Sequence, residues 1–371
     1  MGKIRTAHTL TDRERTFLRL LHIGLWEEVS EDINLAGLTT DDWVFMFETS
    51  RRQTVRGLIW SAIQTLPDEV YPPQDVMWRW LSAIDTIERN NRRMTKAIEA
   101  SRQLLFQTGT EPILMKGHAV AQLYAHPEWR EAGDIDWYIP SQQAFRDAKT
   151  YLQAEALSPS SSADGSLFLN LQDVDVELHP QLVDIEAPQR QNRLRRLIEE
   201  EGWQQQSLED GGHVMTPSPL LSLIMLNAHI MKHAFTVGVG LRQFCDMARA
   251  YHVWHKQYDA EKLIVCYEQL GLRDWSDLLH TILVTYLGLP TQELPGPFKV
   301  RKADARRLMR TVMAAGNFGQ QTEAWQAASN HRAIKRHTLR RILGNMPLFL
   351  RYAPWEMTCK IIRLVIGQVN K

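Results

Sequence analysis

Near residue 112 the hydrophobic period of the chain drops from that of a helix to that of a strand, and near residue 190 it returns. Upstream, Phe17, Leu18, Leu20, Leu21 and Ile23 recur at helical spacing, as do Val55, Leu58, Ile59 and Ile63. Pro67, Pro72 and Pro73 break the pattern, and Val76 to Phe106 then predicts one or two long helices along Trp80, Leu81, Ile84, Ile87, Ile98, Leu104 and Leu105. Inside the window, Pro112-Ile113-Leu114-Met115 predicts a buried strand, Lys116-Gly117 a turn and His118 to Tyr124 a short helix. A strand follows at Ile135 to Ile139, then a helix from Gln142 to Glu155 and a Ser- and Gly-containing stretch from Ser158 to Ser166. Leu167 to Leu171 and the strictly alternating Val174 to His179 predict two more strands. Beyond Arg190 the pattern is helical, apart from a possible hairpin between Trp203 and Val214. The expectation is an α+β protein. A small mixed-sheet core at 108–188 lies between an N-terminal helical region, 1–107, and a C-terminal one, 189–371.

Composition narrows the functional classes. At 371 residues the chain has room for two or three packed units, and 44% hydrophobic with 23% charged residues is ordinary for a globular protein. Lys plus Arg and Asp plus Glu stand at 43 each, so no overall field draws the chain to nucleic acid or to an anionic membrane. Any site for a polyanion is local. Cys245, Cys266 and Cys359 are scattered and odd in number, which fits neither a disulfide framework nor a cysteine zinc site and points to a reducing cytoplasm. Met1 to Arg15 is polar, and no stretch has the length of a membrane span, so neither a cleaved secretion signal nor a transmembrane segment is expected.

The chemistry concentrates in carboxylates. Gly133-Asp134-Ile135-Asp136 puts two acids at i and i+2 of a strand, so both leave one face while Ile135 packs on the other. Like charges that close repel, and a divalent cation is an economical way to hold both ionised. The bland alternative is a solvated strand end. Further on, Asp173, Asp175, Glu177 and His179 share one parity, opposite Val174, Val176 and Leu178. That face meets metal or base, or else belongs to an exposed edge strand. Lys116-Gly117, between a buried strand and a helix, is where backbone N–H groups approach a phosphate, although ordinary turns look the same. Arg130 is read as a phosphate clamp or as an ion-pair partner of the acidic strand. His229 and His233, four apart, have metal-binding spacing, but packing and supporting roles are favoured over ligation. Arg242 and Asp246 have the spacing of a helix-stabilising pair. From His331 to Lys371, Arg332, Lys335, Arg336, Arg340, Arg341, Arg351, Lys360 and Arg363 face a single acid, Glu356, within an amphipathic pattern. A terminal helix packed on the protein explains this better than a surface for nucleic acid or lipid.

Taken in order, Ile113-Leu114-Met115-Lys116-Gly117, Tyr124, Pro127, Arg130, Gly133-Asp134-Ile135-Asp136 and Glu177-Leu178-His179 resemble the uncharacterised bacterial nucleotidyltransferase family of the polymerase-beta-like superfamily. His233, Leu241-Arg242-Gln243 and Asp246 resemble its helical part, and the likeness runs from Glu111 to Tyr251. It implies metal carboxylates at Asp134 and Asp136 with Glu177 as the third, and a nucleotide-binding turn at Gly117. It further implies Mg2+ or Mn2+ as cofactor and a nucleoside triphosphate as substrate, for whose phosphates Lys116 and Arg130 are the candidate cations. A nucleoside monophosphate would pass to an acceptor that the sequence does not name: a small molecule, sugar, peptide or protein. The wider superfamily has Gly-Ser at the turn where this chain has Lys116-Gly117-His118. That departure keeps open a nucleotide-sensing or interaction module without catalysis. Asp134-Ile135-Asp136 also keeps open a sugar-nucleotide-dependent glycosyltransferase.

Overall fold

The computed structural model describes residues 10–359 and 362, except 29–34, 36, 156, 158, 163, 164, 184, 186, 209–211, 237 and 318–342. Four helices come first: α1 (Asp12–Trp26), α2 (Thr40–Gln53), α3 (Arg56–Gln64) and α4 (Gln74–Phe106). Thr11 with Glu14, and Thr39 with Asp42, form capping boxes that satisfy the first free N–H groups of α1 and α2. Helix α4 starts behind Pro72-Pro73, holds no Gly or Pro, and runs unbroken for 33 residues. At 1.5 Å per residue that is about 50 Å.

The mixed segment follows as β1 (Ile113–Met115), α5 (Gly117–Ala121), β2 (Asp134–Tyr138), α6 (Gln142–Ala154), β3 (Ser160–Ser161), β4 (Leu167–Leu171) and β5 (Val174–His179). After α7 (Pro188–Glu201), the hairpin suspected between Trp203 and Val214 forms as β6 (Trp203–Ser207) and β7 (His213–Pro217). Five helices follow: α8 (Pro219–Phe235), α9 (Leu241–Trp254), α10 (Ala260–Leu270), α11 (Arg273–Leu287) and α12 (Lys302–Ala315). None of the described helices is long and apolar enough to cross a membrane.

Among the described residues, seven strands make one mixed sheet in the order β3-β4-β5-β2-β1-β7-β6. Strand β5 lies between β4 and β2, which overturns the reading of it as an exposed edge strand. Asp173 is not on its face: Gln172 and Asp173, with φ of 54° and 60°, form the turn of the β4–β5 hairpin. Positive φ at both central positions matches the right-handed twist of the flanking strands. The sheet also reaches past residue 188, because β7 pairs in parallel with β1.

Each face of the sheet carries its own core. Leu114, Ile135, Trp137, Leu167, Leu169, Val174, Val176 and Leu178 pack against Ala148 and Leu152 of α6 and Met94, Ala97, Ile98 and Leu105 of α4. Trp137 donates its Nε1–H to Ser101 Oγ at 2.9 Å, which fixes β2 against α4 without an unpaired buried donor. The opposite parity, Ile113, Met115 and Tyr138, joins the larger core of α1–α3, α8–α12 and the first half of α4, including Trp80 and Ile84. Helix α4 thus belongs to both cores. Residues 343–352 and 354–359 are helical, and Leu348, Phe349, Tyr352 and Met357 are buried in the larger core. Phe349 meets Phe235 at 3.9 Å between ring centroids, and Arg351 pairs with Asp304 at 2.8 Å, so the described part of this segment is packed on the protein. Arg332, Lys335, Arg336, Arg340, Arg341, Lys360 and Arg363 lie outside the described residues.

Candidate active site

Strands β2 and β5 run parallel, with Asp134 opposite Asp175, Asp136 opposite Glu177 and Tyr138 opposite His179. Because side chains alternate, Asp134, Asp136, Asp175, Glu177 and His179 all rise from the face that the apolar Ile135, Val176 and Leu178 leave. Asp136 is buried, and its Oδ1 accepts from His179 Nε2 at 2.7 Å and Lys116 Nζ at 3.0 Å. Glu177 Oε1 lies 3.7 Å from His179 Nδ1, and Ser166 Oγ is 3.2 Å from the same nitrogen. Asp136, Glu177 and His179 present ligand atoms that all lie within 4.8 Å of one another, a spacing able to hold one metal ion. Asp134 is exposed at the mouth of the site. Asp175 is also exposed and receives Asn170 Nδ2 from β4 at 3.0 Å, so it turns away from this cluster.

Charges on this floor are mutually adjusted. Burial would raise the Asp136 carboxyl, but the Lys116 ammonium and the His179 hydrogen bond hold it well below the usual carboxylate range. Burial likewise works against the Lys116 charge, and the Asp136 carboxylate keeps its pKa above the ordinary lysine value. Repulsion from Asp136 raises Asp134. Glu177 is raised by burial, with His179 opposing. The site therefore holds one firmly ionised carboxylate and two reluctant ones, the pattern an added cation relieves. Lys116 and Gly117 follow β1 with φ of 43° and 37°. Lys116 adopts a conformation that costs a side-chain-bearing residue about 1–3 kcal/mol, and it does so where its ammonium reaches Asp136.

The loop leading to β2 is pinned by three helices. Buried Asn91 of α4 donates to the carbonyls of Glu128 at 2.7 Å and Arg130 at 2.9 Å. Arg56 of α3 binds the Glu131 carboxylate at 2.6 Å, and its own N–H donates to the same group at 2.9 Å. Arg130 gives two parallel bonds to Asp246 of α9, Nε to Oδ1 at 3.0 Å and Nη2 to Oδ2 at 2.7 Å, while Tyr124 donates to Oδ1 at 2.8 Å. Two expectations change here. The ion-pair partner of Arg130 is Asp246 rather than the acidic strand. Asp246 in turn gives both oxygens to Arg130 rather than to Arg242, whose Nη1 donates to the Glu131 carbonyl at 2.8 Å.

Above the floor, His229, Lys232 and His233 of α8 and Arg242 of α9 form a wall, enclosing with it a cleft of about 500 Å³. His229 and His233 lie edge to face at 4.2 Å, and burial lowers both, His233 to about 3, so they are neutral near pH 7. Both rings line the cleft. A second cleft, lined by Phe168, Asn170, Asp175 and Asn317 among others, shares Gly133, Asp134, Glu177 and Arg242 with the first.

All six expected site residues, Lys116, Gly117, Arg130, Asp134, Asp136 and Glu177, line the first cleft. His179 had been placed on the acidic face without a role, and its contact with Asp136 needed the register of β2 on β5. Asn91 and Glu131 were missed, since an Asn inside a helix and a Glu in a loop carry no periodic signal. A family model described as an uncharacterised nucleotidyltransferase matches residues 39–288. No curated protein matches the chain. Among solved structures, an antigenic nucleotidyltransferase-like protein from Paracoccidioides brasiliensis is similar at 14% identity and a TM-score of 0.32, over 53% of this chain and 93% of that one.

Proposed function

We propose, since the chain belongs to the uncharacterised nucleotidyltransferase family, that it is a metal-dependent transferase of the polymerase-beta-like type, moving a nucleoside monophosphate from a nucleoside triphosphate to an acceptor hydroxyl or phosphate. The observation that carries this reading is the convergence of Asp134, Asp136 and Glu177 on one sheet face beside the Lys116-Gly117 turn. A divalent ion fits the floor, because Asp136, Glu177 and His179 bring two carboxylates from adjacent strands and one imidazole within 4.8 Å of one another, and Asp134, outside that group, rises from the same face beside Asp136. Asp134, Asp136 and Glu177 would hold Mg2+ or Mn2+, which when bound supplies neutralisation of phosphate charge and activation of the attacking oxygen.

The remaining roles belong to the chain itself. The turn at Gly117 offers backbone to a phosphate, and Lys116 keeps Asp136 ionised at the edge of the same cleft. Glu177, raised by burial and lining both clefts, is the carboxylate that would take the proton of an acceptor hydroxyl. Arg130 positions α9 over the floor through Asp246 and is occupied in doing so. In the reaction a bond forms between the acceptor oxygen and the α-phosphorus, and the bond from that phosphorus to the pyrophosphate oxygen breaks. Helices and the second cleft would shape the acceptor site.

The test is a thermal-shift screen of nucleoside triphosphates and sugar nucleotides, each with and without magnesium or manganese. A triphosphate with metal is expected to raise Tm, since a ligand at 100 times its Kd stabilises the native state by about 2.7 kcal/mol. Asp134→Asn and Asp136→Asn should lose the metal-dependent part, and equal responses in parent and variants would place the metal elsewhere. A shift by sugar nucleotides alone would favour the glycosyltransferase reading.

The turn has its own test. A Cβ at Gly117 would stand 3.4 Å from the Asp134 carbonyl oxygen, at a φ that side chains rarely adopt. Gly117→Val is expected to abolish nucleotide binding while far-UV circular dichroism stays helical, and Lys116→Ala to weaken binding less. Unchanged affinity in Gly117→Val would remove the turn from the site. One observation favours a second reading, nucleotide binding without turnover: Lys116 already sits on Asp136, at 3.0 Å. Metal-independent binding with no product from any acceptor would select it.

A further inference from the structure

An arginine withdrawn from water ordinarily meets a carboxylate, because an uncompensated buried charge is costly. Three cations at or beside the cleft follow this rule. Lys116 is on Asp136, Arg130 on Asp246 and Arg56 on Glu131. Arg242 does not. Among the described residues, no carboxylate oxygen lies within 4.0 Å of its guanidinium, and the two nearest candidates by position, Asp246 and Glu131, are each engaged by another arginine. Its side chain is partly buried and its Nε is enclosed without a hydrogen-bond partner. The Nη1 contact with the Glu131 carbonyl, 2.8 Å, is shared with Arg130 Nη1 at 3.3 Å, so two guanidinium groups crowd one neutral oxygen. Burial, then repulsion from Arg130, depresses the Arg242 pKa, against the attraction of Asp246, Asp134 and Glu131.

The position is fixed rather than incidental. Arg242 lies in the first turn of α9, whose leading N–H groups are already taken: Gly240 by the Gln243 side chain at 3.0 Å and Leu241 by Gln53 at 3.0 Å. Gln243 in turn bonds Asn317 at 3.1 Å. The helix terminus is thus not the anion receptor, and the free electrostatic capacity belongs to the side chain. Arg242 also lines both clefts, alongside Asp134 and Glu177, at the strip the clefts have in common.

We infer that Arg242 is the phosphate-receiving side chain of this site, and that it contacts the phosphoryl group in transfer, where the nucleotide cleft and the acceptor cleft meet. This rests on the reading of the cleft as a nucleotide site. A planar guanidinium whose Nη2 makes no hydrogen bond among the described residues offers that N–H to a phosphate oxygen, the enclosed Nε being out of a ligand's reach. An anion there supplies the direct contact that Asp246, Asp134 and Glu131, acting on Arg242 only through space, do not make. Lys116 and Arg130, the cations that sequence order singles out, are already neutralised, and Arg242 is held in reserve.

The experiment measures binding of ATP, GTP, CTP and UTP, each with magnesium, to the full chain by titration calorimetry, together with Tm, for the parent, Arg242→Ala, Arg242→Gln and Arg242→Lys. The expected result is at least a 30-fold loss of affinity in Arg242→Ala and Arg242→Gln for whichever triphosphate the parent binds. Arg242→Lys should retain part of it, and millimolar guanidinium should restore part in Arg242→Ala. Tm in the absence of nucleotide should hold or rise in Arg242→Ala, since an uncompensated charge has been removed. A structural arginine would give the opposite, a lower Tm. Affinity within threefold of the parent in Arg242→Ala overturns the inference while leaving the nucleotide site standing, and so does failure of both Arg242→Ala and Arg242→Gln to fold. A parent that binds none of the four triphosphates overturns the nucleotide reading itself, and this inference with it.

Discussion

Glu177→Gln is expected to lower turnover by about a thousandfold while keeping most metal-dependent nucleotide binding, because a positioned proton acceptor contributes to rate at about that scale. The geometry separates it from its neighbour two residues away. Glu177 stands opposite Asp136 and within ligand distance of both Asp136 and His179, whereas Asp175 stands opposite Asp134, is exposed, and is held by Asn170. Asp175→Asn should therefore be mild in both rate and affinity. Glutamine keeps the shape and one acceptor oxygen but cannot take a proton or carry the charge, so affinity and rate part company. Single-turnover rates and nucleotide titrations on the two variants make the comparison once an acceptor is found. A severe Asp175→Asn beside a mild Glu177→Gln would transfer the role to Asp175.

The sequence exposed the parts of this site that are periodic. Alternation alone placed Asp134 and Asp136 on one face with Ile135 on the other, and did the same for Asp175, Glu177 and His179 against Val174, Val176 and Leu178. The strands follow, because apolar residues at a spacing of two must find a core on one side of a sheet. Pairing is not periodic. That β5 lies inside the sheet against β2, and that β7 closes it on the far side of β1, depends on contacts between segments distant in sequence. The same limit applies to charge. Arg242 and Asp246 have the spacing of an i, i+4 pair worth about 0.2–0.5 kcal/mol on an exposed helix. Tertiary packing instead gives Asp246 a better partner in Arg130, with two parallel bonds and the Tyr124 hydroxyl completing its shell. A helix-local rule misassigned both residues, since the stronger competitor came from the loop before β2.

That competition sets the largest stability effect expected in the molecule. Asp246→Ala removes the partner of Arg130 while both side chains of the pair are only 6% exposed. It leaves a guanidinium that cannot lose its proton, and a Tyr124 hydroxyl deprived of its acceptor. Removing one member of a buried pair costs about 3–5 kcal/mol, far more than the pair contributes against an apolar replacement. Urea denaturation should show a lower midpoint at unchanged slope, as expected when stability falls without a change in the surface exposed on unfolding. Arg130→Leu combined with Asp246→Leu should recover most of the loss, because no charge is then left uncompensated, although Glu131 loses one of the guanidinium contacts at its carbonyl. Such a double variant would keep the fold and still misplace the start of β2, since the Arg130 to Asp246 bonds tie α9 to the loop that delivers Asp134. Folding recovered with nucleotide binding still impaired would show the pair to be a positioning device. An Asp246→Ala variant as stable as the parent would mean that water readily replaces the carboxylate, and the rigidity attributed to this side of the cleft would have to come from Asn91 and Arg56 alone.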